Sequence, residues 1–232
     1  MLFMTVPTAG AHPELLTALI SDCGLPPERI VVVETAPGVE VPDGVVRVES
    51  FGPPRIQEWW TQGIDEAARR GATAVAVLND DIRLTPQTLE ALHAALLETG
   101  AAIASPSRPG IRDGVHKRPL IPYEPRLWGS IWVLNLATGL RPDTRYVWWY
   151  GDNDLDLRAR RHHGGVVLVA VEYEHVHPST ATFQRPELLA IAAKDGERFE
   201  REHHWLLRIS RLITKWRRKL SRPPKGADDA AR

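Results

Sequence analysis

Three carboxylates at alternate positions, Asp152, Asp154 and Asp156, lie between an aromatic run, Trp148-Trp149-Tyr150, and a segment from Leu155 to Arg161 that can continue as an arginine-rich helix. An acid that takes up a proton needs a wall against solvent and a local field that tunes it. The aromatic run can wall a cleft, Gly151 permits a sharp turn, and Asp152 or Asn153 can cap the helix by accepting from its free N–H groups. The partial positive charge at a helix start also favours the ionised form. The plain alternative is a cap at Asp152 beside two solvated acids. Asp156 is spaced to face solvent or to pair with Arg160, four residues on.

A second acidic stretch, Asn79-Asp80-Asp81, follows an apolar run from Ala72 to Leu78. That run shows no alternation, as expected of a central strand covered on both faces. Adjacent carboxylates at the end of a buried strand need a cation, a helix N-terminus or water around them. Oxygen-rich sites suit Mg²⁺ or Mn²⁺, and substrate phosphates commonly complete the shell of such an ion. The same residues can also simply begin the turn into the helix that Thr85-Pro86 opens.

The elements that position these acids follow from periodicity. Leu2 to Val6, Arg29 to Glu34 and Val45 to Glu49 read as strands. Pro13 to Asp22 reads as a helix burying Leu15, Leu16, Leu19 and Ile20, and Ile56, Trp59, Trp60, Gly63, Ile64 and Ala67 keep a helical rhythm after Pro53-Pro54. Leu89, Leu92 and Leu96 are in phase on a further helix closed by Gly100. Strands alternating with helices predict βαβ units, hence an α/β fold with a mostly parallel central sheet. In such sheets ligands sit beyond the carboxyl ends of the strands. Those ends are Pro7-Thr8, Glu34-Thr35, Ser50-Phe51-Gly52 and Asn79-Asp80-Asp81. No Gly-x-Gly-x-x-Gly follows the first strand and no Walker-type Gly-Lys-Ser/Thr occurs, which argues against dinucleotide-binding oxidoreductases and P-loop enzymes.

Composition narrows the class further. The 232 residues, 43% of them apolar, suffice for one ordinary core. Lys plus Arg and Asp plus Glu balance at 29 each, so overall charge names no partner and no nucleic acid is expected. Cys23 is the only cysteine, which excludes an internal disulfide and a cysteine-built metal site. No apolar run is long enough to span a bilayer, and the opening Met1 to Val6 is too short for a signal peptide. A cytoplasmic protein, with peripheral membrane contact left open, is the expectation.

Four stretches in order carry a resemblance: Leu78-Asn79-Asp80-Asp81, Trp128-Gly129-Ser130-Ile131-Trp132-Val133-Leu134, Trp149-Tyr150-Gly151-Asp152-Asn153-Asp154-Leu155-Asp156-Leu157-Arg158, and His175-Val176-His177-Pro178-Ser179-Thr180. From Leu2 to Thr180 the chain resembles family 2 glycosyltransferases of GT-A fold, in particular the rhamnosyltransferase-like branch. The resemblance implies inverting transfer of a sugar from a nucleotide-sugar donor, with Mn²⁺ or Mg²⁺ on the diphosphate. It places the metal-site acid at Asp81 and the general base at Asp152; Asp154, in phase with Asp152 on an extended segment but not on a helix, is the second choice for the base. The glutamate usual before that base is replaced by Gly151. A histidine near this place in the related enzymes joins the metal or the diphosphate; His177 fits the spacing better than His175, and a hydrogen-bonded surface pair is the alternative.

The same resemblance makes Thr8, Glu34, Arg55, Asn79 and Asp80 donor-side candidates, and Trp128, Trp149 and Tyr150 acceptor-side ones. One ring of Trp148-Trp149-Tyr150 is expected in the site and the others in packing; Trp59-Trp60 are expected in the core. Ser105 to Pro125, carrying Arg108, Arg112, His116, Lys117 and Arg118, reads as a loop over the site or as a surface excursion. The catalytic domain is expected over 1–200, a basic amphipathic helix over 201–220 and a flexible tail over 221–232. In that helix Trp205, Ile209, Leu212, Ile213, Trp216 and Leu220 trace one face opposite Arg208, Arg211 and Lys215. Such a face packs on the catalytic domain or a second subunit, or lies on a membrane. The acceptor is left as a glycan, a lipid-linked sugar or a protein. A carbohydrate-binding scaffold without turnover is the competing reading, and a nucleotidyltransferase ranks last.

Overall fold

The computed structural model describes residues 1–119, 121–177, 183 and 185–220, so the expectations for Pro178-Ser179-Thr180 and for the tail from Ser221 fall outside the described residues. Along the chain run β1 (Leu2–Thr8), α1 (Pro13–Asp22), β2 (Ile30–Glu34), β3 (Val46–Glu49), α2 (Ile56–Arg69), β4 (Ala74–Leu78), β5 (Ile82–Leu84), α3 (Pro86–Thr99), β6 (Ile103–Pro106) and β7 (Gly114–His116). They are followed by β8 (Ile131–Asn135), α4 (Gly151–His162), β9 (Val166–Val169), β10 (Tyr173–His175), α5 (Pro186–Glu202) and α6 (His204–Leu220).

Eight strands form one sheet in the order β3-β2-β1-β4-β8-β6-β9-β7. β1, β2, β3 and β4 are mutually parallel, β6 is parallel to β9, and β8 runs antiparallel between β4 and β6. The sheet is therefore mostly parallel, as expected, with helices on both faces. Alternate strand residues point to opposite sides, so the core divides in two. Met4, Val6, Val32, Ala76 and Leu78 meet Leu16, Leu19, Leu89, Leu92 and Leu96 from α1 and α3. Phe3, Val31, Val75, Val77 and Trp132 meet Trp60, Ile64, Ala67, Leu155 and Ala159 from α2 and α4.

The antiparallel β8 matters most for function. Leu78 pairs with Ile131, so the end of β4 and the start of β8 share one rim. Residues 128–130 thereby stand beside Asn79-Asp80-Asp81. A second, two-stranded sheet of β5 and β10 was not legible in the sequence; it sets His175 opposite Ile82 at the same rim. The strand after α4 ends at Val169, and β10 is separate from it. The expected loop from Ser105 to Pro125 contains β7, which pairs antiparallel with β9.

α6 docks differently from the expectation. Leu206 joins Tyr146, Leu157 and Phe199 in a small third core, and the Ser210 hydroxyl accepts the Tyr123 N–H at 2.8 Å. Leu206 and Ser210 are buried, whereas Trp205, Ile209, Leu212 and Trp216 are exposed. The physical reason is that Tyr146, Leu157 of α4 and Phe199 of α5 offer an apolar pocket for one leucine, and Tyr123 a backbone donor for one hydroxyl, and both lie on the narrower, less apolar side of the helix.

Gly63 shows how tightly α2 seats on the sheet. A Cβ there would overlap the Thr5 hydroxyl and lie 2.8 Å from its Cβ. Gly63→Ala should destabilise the fold by about 1–3 kcal/mol, the usual cost of overpacking, and thermal unfolding checks it. An unchanged midpoint would contradict this packing.

Candidate active site

The carboxyl end of β4 leaves Asp80 and Asp81 at the rim. The Thr8 hydroxyl donates to Asp80 Oδ2 at 2.6 Å and itself accepts the Gly10 N–H at 2.9 Å, so β1 and β4 are joined at their ends. Burial pushes the Asp80 pKa up; the Thr8 hydrogen bond opposes this and neighbouring Asp81 adds to it. Asp81 is buried, and its Oδ1 has no hydrogen-bond partner although His175 Nε2 lies 3.2 Å away. That separation suits an ion pair but is off the line of a hydrogen bond. His175, rather than His177, meets Asp81, because the β5–β10 pairing sets His175 beside it and the Val176 N–H donates to the Asp81 carbonyl. His177 instead stacks on His12, with ring centroids 4.7 Å apart.

Asp152 sits in the first turn of α4, where the Asn153 N–H donates to its Oδ1 at 2.9 Å. The sharp turn before it is made by Tyr150, with φ of 64°, and not by Gly151. A left-handed tyrosine is costly, and its ring is held against Phe199 and over Gly196. Gly151 has a different task. A Cβ at Gly151 would overlap the buried Gln57 side chain, approaching Oε1 to 2.6 Å, so the space a side chain at 151 would take is filled by a carboxamide from α2. Across from it, a Cβ at Gly129 would lie 3.1 Å from Asp152 Oδ2 and 3.3 Å from the Trp60 ring. Asp152 keeps a partly exposed edge. Burial nevertheless outweighs the helix start: it pushes the pKa up, Asp156 adds to this, and the backbone groups of Asn153, Asp152 and Gly129 pull the other way.

The two acidic stretches thus border one segment. The Asn79 N–H donates to the Ser130 carbonyl at 3.0 Å, and the preceding residue, Gly129, is the one against Asp152.

The remaining acids of the motif are taken. On a helix, residues two apart diverge by about 200°, and Asp154 turns inward to Arg158 at 2.6 Å and His203 Nε2 at 3.0 Å. It does not share the cleft with Asp152, which corrects its choice as second base. Asp156 pairs with Arg160, both fully buried, and does not face solvent. It also accepts the Arg126 N–H and the Tyr123 hydroxyl, each at 3.2 Å. Arg160 in turn donates to the carbonyls of Arg118 and Glu124, so the pair holds the backbone at Arg118, Glu124 and Arg126 against α4.

Among the donor-side candidates, Glu34 is buried and held bidentately by Arg47 from β3, and Arg55 pairs with Glu58 at 2.7 Å. Both carboxylate and guanidinium are thus already engaged. Trp128 is exposed at the rim with the Arg108 guanidinium 3.9 Å above its ring. Burial lowers the Arg108 pKa, and Asp152 is among the acids that oppose this. Trp149 is edge-on to Phe183, Trp148 edge-on to Trp59, and Trp60 is core. Gln57, Asp195 and His12 were missed, since a lone polar residue on a helix face or in a loop carries no spacing signal. Among the described residues no group of three or more His, Cys, Asp or Glu is arranged to hold a metal.

Comparison with known proteins locates this fold. No family profile and no curated protein sequence matches the chain. Among solved structures it is similar to the 1–349 fragment of S. aureus TarS at 12% identity and a TM-score of 0.54, covering 84% of this chain and 64% of that one, less than two thirds of its length. The mannose-1-phosphate geranyltransferase of Thermus thermophilus is similar at 16% identity and a TM-score of 0.48, covering 79% and 78%. The architecture is that of GT-A-like glycosyltransferases, a large mostly parallel sheet flanked by helices.

One carboxylate holds the approach to α4. Asp195 of α5, buried, accepts the N–H groups of Val147 at 3.1 Å, Trp148 at 2.7 Å and Trp149 at 3.0 Å. Asp195→Ala should lower stability by about 2–4 kcal/mol, since several bonds to a charged acceptor are lost together. Amide hydrogen exchange at 147–149 should accelerate more than in the core strands, and uniform acceleration would contradict a local staple.

Proposed function

We propose that this chain is an inverting, nucleotide-sugar-dependent glycosyltransferase of the rhamnosyltransferase-like kind, with Asp152 as general base. The observation that carries the reading is the shared border: Asn79-Asp80-Asp81 and Asp152 flank the single segment Gly129-Ser130 at one rim of a GT-A-like sheet. The four motif stretches in family order support it.

In this reading the Asp152 carboxylate takes the proton of the acceptor hydroxyl as its oxygen bonds to the anomeric carbon. The bond from that carbon to the diphosphate breaks on the opposite face, and its electron pair leaves with the phosphate oxygen. A base with pKa raised towards neutrality suits this work. Trp128, with Arg108 over it, forms an aromatic and cationic wall for sugar and diphosphate. The donor set at Asp81 fits a divalent cation: its Oδ1 is buried without a hydrogen bond, and His175 Nε2 stands beside it. Asp81 and His175 would hold such an ion, which would offset charge on the leaving diphosphate, with phosphate oxygens completing a site that the protein leaves open.

Two measurements test the base. Release of nucleoside diphosphate from a panel of nucleotide sugars with Mn²⁺, in the presence of acceptor glycans, should fall about 10²–10⁴-fold in Asp152→Asn. The native rate should decline on acidification with a midpoint above the ordinary aspartate value of about 3.9, because the ionised base is lost as pH falls through its raised pKa. A midpoint at or below that value would contradict the assignment; no turnover of any donor would favour a carbohydrate-binding scaffold.

The same shift has a stability consequence of opposite sense. A carboxyl with a folded pKa above its unfolded one destabilises the fold where it is ionised, fully so above the folded pKa, and not at all below the unfolded pKa. At neutral pH Asp152→Asn should therefore hold or raise the thermal midpoint. A lowered midpoint would mean that Asp152 serves the fold and not the chemistry.

A further inference from the structure

The last helix presents an apolar stripe that is largely exposed. α6 packs through Leu206 and Ser210, both buried, next to the buried His203 that precedes it. At about 100° per residue, Trp205, Ile209, Leu212 and Trp216 fall within roughly 60° of one another, pointing away from that seam. Their exposures are 70%, 41%, 50% and 63%. These are large values for tryptophan and leucine in a folded chain, and four in one row form a continuous patch rather than scattered residues.

Charge is concentrated beside the stripe. The helix carries six Lys and Arg residues and no acid, in a chain whose total charge is zero. On the same helical wheel Arg208, Arg211 and Lys215 line one edge of the stripe, between it and the docked seam. The Arg208 guanidinium lies 5.7 Å over the Trp205 ring, and Arg211 pairs with Glu200 on α5. Tryptophan beside cationic side chains on an otherwise apolar strip matches the boundary between headgroups and acyl chains. No helix among the described residues is long and apolar enough to cross a membrane.

We propose that the Trp205–Trp216 face of α6 is a docking surface for an anionic lipid bilayer, lying in the plane of the interface. A second copy of this chain is the natural competitor for an apolar stripe. A two-fold interface, however, sets the same patch against itself, and here it would oppose two cationic rows with no acid on either helix to neutralise them. A bilayer of anionic lipids supplies both the missing negative charge and the apolar layer. The proposal does not depend on the glycosyltransferase reading.

The test uses the full chain with vesicles of pure phosphatidylcholine and of phosphatidylcholine mixed with phosphatidylglycerol, scored by co-sedimentation. Binding is expected to the mixed vesicles, weakly to the neutral ones, with release by added salt. Arg208→Gln with Lys215→Gln should lower the partition constant roughly twenty-five-fold, about fivefold for each cation. Trp205→Ser with Leu212→Ser should abolish binding, while circular dichroism and the thermal midpoint show that each variant is folded. Native chain that stays in the supernatant with mixed vesicles, or binds neutral vesicles equally, overturns the proposal. So does a dimer in sedimentation velocity that the serine pair dissolves, which would assign the face to a second copy.

Discussion

Three segments crowd around Asp152, so that a methyl group added at Gly151 would overlap Gln57 and one at Gly129 would press on Asp152 and Trp60, and the geometry of the rim depends on that closeness. α2 brings Gln57 and Trp60, the start of α4 brings Gly151 and Asp152, and the approach to β8 brings Gly129. A side chain on either glycine would meet a neighbour before it met solvent. Interiors are packed too densely to absorb such an intrusion cheaply, so the two glycines are there to let the helix start touch the sheet. The carboxylate between them consequently loses much of its water, and burial outweighs the nearby N–H groups in setting its pKa.

An ionised group held in that way is a burden on the fold, and other acids carry the load of keeping it in place. Asp195 gathers three successive N–H groups of the segment leading into α4. Asp156 and Arg160 hold Arg118, Glu124 and Arg126 along the flank of the helix, their mutual attraction offset by desolvation but joined to backbone partners on both sides. Asp154, clasped by Arg158 and His203, ties α4 to the C-terminal pair of helices. Four carboxylates around one helix therefore divide into one left with an exposed edge and three committed to structure. Sequence spacing alone does not distinguish them, because the division follows from which side of α4 each faces.

What was legible was whatever local periodicity controls. The strands Leu2–Thr8, Ile30–Glu34 and Ala74–Leu78 and the helices of Leu16, Trp60 and Leu92 declare themselves through apolar phase, and with them the layers and the rim. Non-local pairing was not. Nothing in Tyr173 to His175 announces that it pairs with Ile82 to Leu84, and on that pairing depends which histidine meets Asp81. The alternation Asp152, Asp154, Asp156 suggested one face only so long as the segment was taken as extended; a helix that begins at Gly151 reverses the second and returns the third. On α6 the sequence shows a tryptophan-bearing stripe but not which side docks, since a single leucine in the right pocket outweighs a larger apolar area that stays exposed.

The departure at Gly151 illustrates why a motif is better read as occupied volume than as a string. On sequence alone, glycine where the resemblance leads one to expect a glutamate leaves an empty position beside Asp152. In the folded chain the vacated space is filled by the Gln57 carboxamide, whose Oε1 has no hydrogen-bond partner among the described residues. A polar group is therefore retained beside Asp152 but arrives from another helix, without its charge. Removing a negative charge next to a desolvated carboxylate reduces the repulsion that would otherwise raise that carboxylate's pKa further. The substitution and its filler are coupled: glycine at 151 is tolerable because Gln57 closes the gap, and Gln57 can lie there only because residue 151 has no side chain.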